Sequence, residues 1–115
     1  MNIQKELSKG SSSLLVLSVL GTGDMYGYQI IKEIEQRSEF VFSFKEGTLY
    51  PILHSFEQDG LVKSYWQEGS NGKRRKYYHI TDRGIKLLKK STDDWHSYSS
   101  AVEKVVTGSL TPSAV

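Results

Sequence analysis

The chain has 115 residues, a net charge of +2 and 24% charged residues, enough for one domain with one hydrophobic core. It has no cysteine, which excludes disulfides, thiolate metal sites and cysteine nucleophiles. The run Leu14–Leu20 is far too short to span a membrane, and the first residues carry no cleavable signal pattern, so a cytoplasmic location with no membrane partner is expected.

Ile3, Leu7, Leu14, Leu15, Leu17 and Leu20 are spaced as on a helix that stops at Gly21-Thr22-Gly23, with its start blurred by Ser11-Ser12-Ser13. Asp24 then reads as the N-cap of a second helix, reaching about Arg37, with Tyr26, Ile30 and Ile34 on one face. Glu39–Phe44 alternates apolar with other residues and reads as extended.

A third helix ends before Gly60, a good left-handed residue beyond a C-terminus. Its start has two readings. With Thr48 as N-cap, Pro51 falls in the first turn; with a start near Lys45, the proline sits inside the helix at a cost of roughly 3 kcal/mol. Leu49, Ile52, Leu53 and Phe56 form the buried face, which leaves Gly47, Thr48, Tyr50, Pro51, His54 and Ser55 outside. Hydroxyls and an imidazole on such a face can bond phosphates or base edges; the plainer reading is an ordinary amphipathic surface helix.

Leu61–Gln67 and Lys76–Ile80 are rich in β-branched and aromatic residues and flank Gly69-Ser70-Asn71-Gly72, which together make a hairpin. One of Tyr77 and Tyr78 must face inward, and Trp66 reads as core or core edge. Lys73-Arg74-Arg75-Lys76 follow the turn, and Asn71–Lys76 reads as a phosphate-gripping wing, against the plainer reading of a solvated charge run. Eight of the fifteen cations lie between Lys73 and Lys90, with Asp82 the one acid among them, so the charge is concentrated even though the total is small.

Thr81 or Asp82 caps a last helix in which Ile85, Leu88, Thr92, Trp95, Ser99, Val102 and Val106 recur at steps of three and four, a heptad-like stripe suited to pairing with a second copy. Trp95 either packs at that interface or walls a site for a planar aromatic small molecule, with Thr92 and Ser99 one turn to each side. His54, His79 and His96 are scattered, no ligand pair or catalytic constellation is legible, and neither an enzyme, a metal site nor a cofactor is expected.

The sequence thus predicts a mainly α fold with a small β-hairpin, a winged helix-turn-helix with a C-terminal dimerisation helix. Its parts are a DNA-binding unit over residues 1–84, a dimerisation helix over 85–108 and a disordered tail over 109–115. Tyr26-Gly27-Tyr28-Gln29-Ile30, Gly47-Thr48-Leu49-Tyr50-Pro51-Ile52-Leu53 and Gly72-Lys73-Arg74-Arg75-Lys76-Tyr77-Tyr78-His79-Ile80-Thr81-Asp82-Arg83-Gly84 resemble the PadR family of bacterial transcriptional regulators over about residues 10–90. The short C-terminal part is similar to the small-subtype members, including the multidrug-responsive branch.

The resemblance implies a homodimeric repressor on a double-stranded DNA operator of inverted-repeat form. In that family the helix matching Lys45–Asp59 enters the major groove, so the resemblance implies that Tyr50 contacts DNA and that Lys73 and Arg74 contact the backbone. It also implies a phenolic or flat aromatic effector, with Trp95 matching a drug-sandwiching tryptophan. Phe56 stands where leucine is usual and His54 where arginine is common. Lys45, Thr48, Tyr50, Pro51, His54, Asn71, Lys73, Arg74 and Arg75 are therefore the candidate DNA contacts. The competing reading is a winged-helix ligand sensor or protein-interaction module without an operator of its own.

Overall fold

The computed structural model describes residues 3–110, with residues 4–9 described by their backbone alone. In chain order the elements are α1 (Ile3–Leu20), β1 (Met25–Tyr26), α2 (Gly27–Arg37), α3 (Glu46–Gln58), β2 (Val62–Glu68), β3 (Arg74–Ile80) and α4 (Asp82–Leu110). The strands form one antiparallel sheet in the order β1-β3-β2. This is a mainly helical winged-helix architecture.

The core lies where α1, α2 and α3 meet the inner face of the sheet. Val16, Ile30, Leu49 and Leu53 are fully buried, beside Leu17, Val19, Leu20, Ile34, Phe56, Leu61, Val62, Tyr78 and Ile80. Each large apolar side chain buried in this way contributes about 1.5–3 kcal/mol relative to exposure. That packing carries α1 through the serine run, which local propensity alone would weaken.

Three local expectations change. Asp24 does not cap α2. Tyr26 is the N-cap residue, its amide donating to the Gln29 side-chain oxygen at 3.2 Å, because Met25 and Tyr26 are drawn into pairing with Tyr78 and Tyr77 of β3. Glu39–Phe44 joins no sheet: Glu39 and Phe40 take left-handed backbone angles (φ 52° and 65°), which break an extended run before it finds a partner. Of the two starts for α3, the earlier holds. Lys45 is the N-cap, its carbonyl accepts from the Thr48 and Leu49 amides at 3.0 Å each, and Pro51 lies inside the helix. The proline deprives the Gly47 carbonyl of its helical donor, but at an exposed position, where the loss is tolerated.

At the other end of α3 the Leu61 amide donates to the Phe56 carbonyl (2.9 Å) and the Gly60 amide to Glu57 (3.1 Å), with Gly60 left-handed at φ 72°. This paired closure needs glycine and turns the chain directly into β2. Thr81 caps α4: its hydroxyl oxygen accepts from the Gly84 amide at 3.1 Å. The helix continues through Ser109 and Leu110, two residues of the expected tail, and the rest of that tail, residues 111–115, lies outside the described residues. Among the described residues no helix is long and apolar enough to cross a membrane.

Candidate nucleic-acid interface

Helix α3 divides as its 3.6-residue period requires. Leu49, Leu53 and Phe56 are buried and Ile52 is half-buried, while Gly47, Thr48, Tyr50, Pro51, His54 and Ser55 are exposed. Lys45 stands exposed at the N-terminus of the same helix. The outer face is thus a row of hydroxyls, an imidazole and a cation, held rigid by the opposite face's burial in the core. Tyr50 is 44% exposed, and the edge of its phenol lies against Gly27 at the start of α2.

The hairpin stands beside this helix and is tied to it by one carboxylate. Glu57 of α3 accepts from the Ser64 hydroxyl of β2 (2.9 Å) and pairs with Lys76 of β3 (3.4 Å). The register sets the faces: Ser64 opposes Tyr78, Trp66 opposes Lys76, and Tyr65 opposes Tyr77. By strand alternation Arg74, Lys76 and Tyr78 share the face turned to α3, whereas Arg75 and Tyr77 share the other. The tip is built by Gly72 at φ 78° and by the Asn71 side-chain oxygen, which accepts from the Lys73 amide at 3.2 Å.

The four consecutive cations therefore have different surroundings. Lys73 is exposed at the tip. Arg74 begins β3, with its guanidinium 5.6 Å from the Trp66 ring. Arg75 turns to the outer face and lies 4.4 Å over Tyr26 of β1. Lys76 serves Glu57. Among the described residues no carboxylate pairs with Lys45, Lys73 or Arg74, so these charges are open to an anion. Arg83, Lys86 and Lys89 extend the positive surface along α4, where Lys90 is held by Asp94 at 2.9 Å.

Two features were not expected from the sequence. Trp66 is 59% exposed rather than part of the core: it shares the inner face with Val62 and Ser64 but stands outboard of the α3 contact that covers Ser64. On the outer face, Asp24 accepts from the Tyr65 hydroxyl and pairs with His79 Nδ1, each at 2.7 Å, below the Tyr65–Tyr77 stack (5.7 Å) and the Tyr26–Tyr77 edge contact (5.4 Å). Asp24 and His79 are 55 residues apart, so only strand pairing brings them together.

On α4, Trp95 is 44% exposed with Tyr98 at 6.2 Å between ring centres. The Thr92 hydroxyl donates to the Leu88 carbonyl (2.7 Å) and the Ser99 hydroxyl to His96 (3.3 Å), so both are engaged within their own helix. Leu88 is half-buried against the chain's own core. Among the described residues no group of three or more His, Asp or Glu converges as a metal site would require.

The profile of the Transcriptional regulator PadR-like family matches residues 16–90. The chain belongs to the PadR-like family of transcriptional regulators. It is similar to a transcriptional regulator from Clostridium thermocellum, with 35% identity and a TM-score of 0.77 over 86% of this chain and 96% of that one. A PadR family transcriptional regulator from Eggerthella lenta gives 35% identity and a TM-score of 0.76, over 88% and 86% of the two chains. Transcriptional regulator Rv3488 of Mycobacterium tuberculosis is 27% identical over 104 residues, 90% of this chain and 91% of that protein. These PadR-family relatives are transcription regulators, not enzymes.

Proposed function

We propose that the protein is a homodimeric repressor that binds an inverted-repeat operator and is released by a small aromatic effector. One observation carries the DNA-binding part. A rigid helix presents Thr48, Tyr50, Pro51 and His54 outward, and beside it a hairpin holds Lys73 and Arg74 with no carboxylate partner among the described residues. On this reading α3 lies in the major groove and reads base edges, while the wing neutralises phosphates. Arg75 and Asn71 then act inside the protein, one on Tyr26 and the other on the turn. Residues 1–84 carry recognition and 85–108 carry pairing. The support for pairing is the exposed row Val102, Val105 and Val106 on a stretch of α4 beyond the core.

The test is titration of the full chain with duplex DNA at several salt concentrations. Neutralising two phosphates per wing contributes about two units per wing, and so roughly 3.5 for the two wings of a dimer, to the slope of log K against log salt. Lys73→Ala with Arg74→Ala is expected to weaken operator and random duplex alike and to remove that share of the slope. Unchanged affinity and slope in the double variant would refute the phosphate role and favour a protein-contact module. For the effector, Trp95 supplies the support: half-exposed, with Tyr98 beside it, it offers a flat face where two copies of α4 would meet. Planar cationic dyes and phenolic acids are expected to quench Trp95 and weaken operator binding. Equal quenching in Trp95→Ala, whose emission comes from Trp66, would leave Trp95 as packing alone.

A further inference from the structure

Gly27 opens α2, is buried, and has no backbone reason to be glycine. Among the described glycines only Gly60 and Gly72 have positive φ, so alanine would fit the backbone at 27 and would favour the helix. What the missing side chain does provide is room. A Cβ built on Gly27 would stand 2.5 Å from the Tyr50 hydroxyl oxygen, 3.0 Å from its Cζ and 3.4 Å from its Cε1, and every one of these close atoms belongs to Tyr50. The phenol of Tyr50 therefore lies in a notch that exists because residue 27 lacks a side chain. The notch joins the first helix of the helix-turn-helix to the exposed face of the second.

We infer that Gly27 is a positioning residue for operator recognition: it fixes the direction of the Tyr50 hydroxyl at the edge of the α3 reading face. This rests on the DNA-binding reading above. Tyr50 is part-exposed and its hydroxyl is the far end of a flexible side chain, so a methyl group at 27 does not have to unfold the protein. It has to turn the phenol away. At Gly84, by contrast, an added Cβ would meet the Leu61 backbone carbonyl, which cannot swing aside. The two glycines thus separate placement of a side chain from docking of an element.

The experiment uses the full chain and a duplex enriched from a random pool by the wild type, with a scrambled duplex as reference. Gly27→Ala is expected to keep the wild-type circular dichroism and melting temperature. It should lose roughly tenfold in affinity for the enriched duplex, the size of one hydrogen bond, and nothing on the scrambled one. Tyr50→Ala should lose at least as much, and adding Gly27→Ala to it should change nothing further. Equal effects of Gly27→Ala with and without the Tyr50 ring would overturn the inference, as would wild-type binding by Gly27→Ala or by Tyr50→Ala; in all these cases the DNA-binding reading survives. A wild type that enriches no duplex ends that reading and this inference with it.

Discussion

Asp24 ties the segment between α1 and α2 to both strands of the hairpin. Desolvation pushes its pKa up, but hydrogen bonds from Tyr65 and His79 and the charge of His79 outweigh that, and the group sits below its ordinary 3.8. A depressed folded-state pKa means that the unfolded chain binds the proton more readily. The stabilisation is therefore complete above about pH 4 and is lost as pH falls through the lower folded value. The pair is partly open to solvent, which screens it, so the whole effect stays under about 1 kcal/mol. Thermal melts across the acid range are expected to fall more steeply for the wild type than for Asp24→Asn. At Leu53, which is fully buried, Leu53→Ala should cost about 2–5 kcal/mol in denaturant titrations, since it removes contacts at the centre of the core. The inner and outer faces of α3 were legible because a helix repeats every 3.6 residues. Trp66 was not, because alternation assigns a residue to a face of a sheet but does not say how far along that face the covering helix extends.

The ends of elements are where neighbours override local preference. Gly60 was readable as a helix stop because the left-handed closure needs glycine. The two-residue β1 left no periodic trace, and its pairing to β3 removed Asp24 from the cap that spacing alone assigned to it. Phe40, Phe42 and Phe44 alternate as in a strand. The structure instead buries Phe44 and half-buries Phe42 in an unpaired connection, with Phe40 left outside. The joint between hairpin and α4 gives a sharper expectation. Gly84→Ala drives a methyl group into the Leu61 carbonyl and the Ile80 side chain, so it should lower the melting temperature markedly. Gly27→Ala, made beside it as a control, should not. Thr81→Ala should cost about 1 kcal/mol, since the hydroxyl satisfies the Gly84 amide.

As a whole the molecule is elongated, with extents of 68 × 27 × 22 Å, because α4 runs on past the core. The periodic stripe on α4 was visible in the sequence, but its two halves face different neighbours. Leu88 lies against the chain itself, so close to Gly21 that an added Cβ there would be 2.8 Å from the leucine Cδ2. Val102 and Val106 remain exposed. In the proposed dimer, Val102→Glu with Val106→Glu should therefore sediment as a folded monomer that loses operator binding. Leu88→Glu should instead unfold more easily. Equal sedimentation of the valine variant and the wild type at micromolar concentration would remove α4 as the pairing element.

Between β3 and α4 stands one residue, Thr81. Its amide donates to the Leu61 carbonyl at 3.0 Å, and its hydroxyl lies 2.7 Å from the Gly60 carbonyl. A joint so short and so well bonded makes α4 an arm rather than a tether. At 1.5 Å per residue its 29 residues reach about 43 Å, and a tilt of roughly 5° about Thr81 carries the far end by about 4 Å. Run in the other direction, a push at the far end turns the hairpin through a small angle with long leverage. Two glycines inserted after Thr81 would take the cap from the Gly84 amide and shift Leu88 off Gly21, so the melting temperature is expected to fall as the arm comes loose from the hairpin.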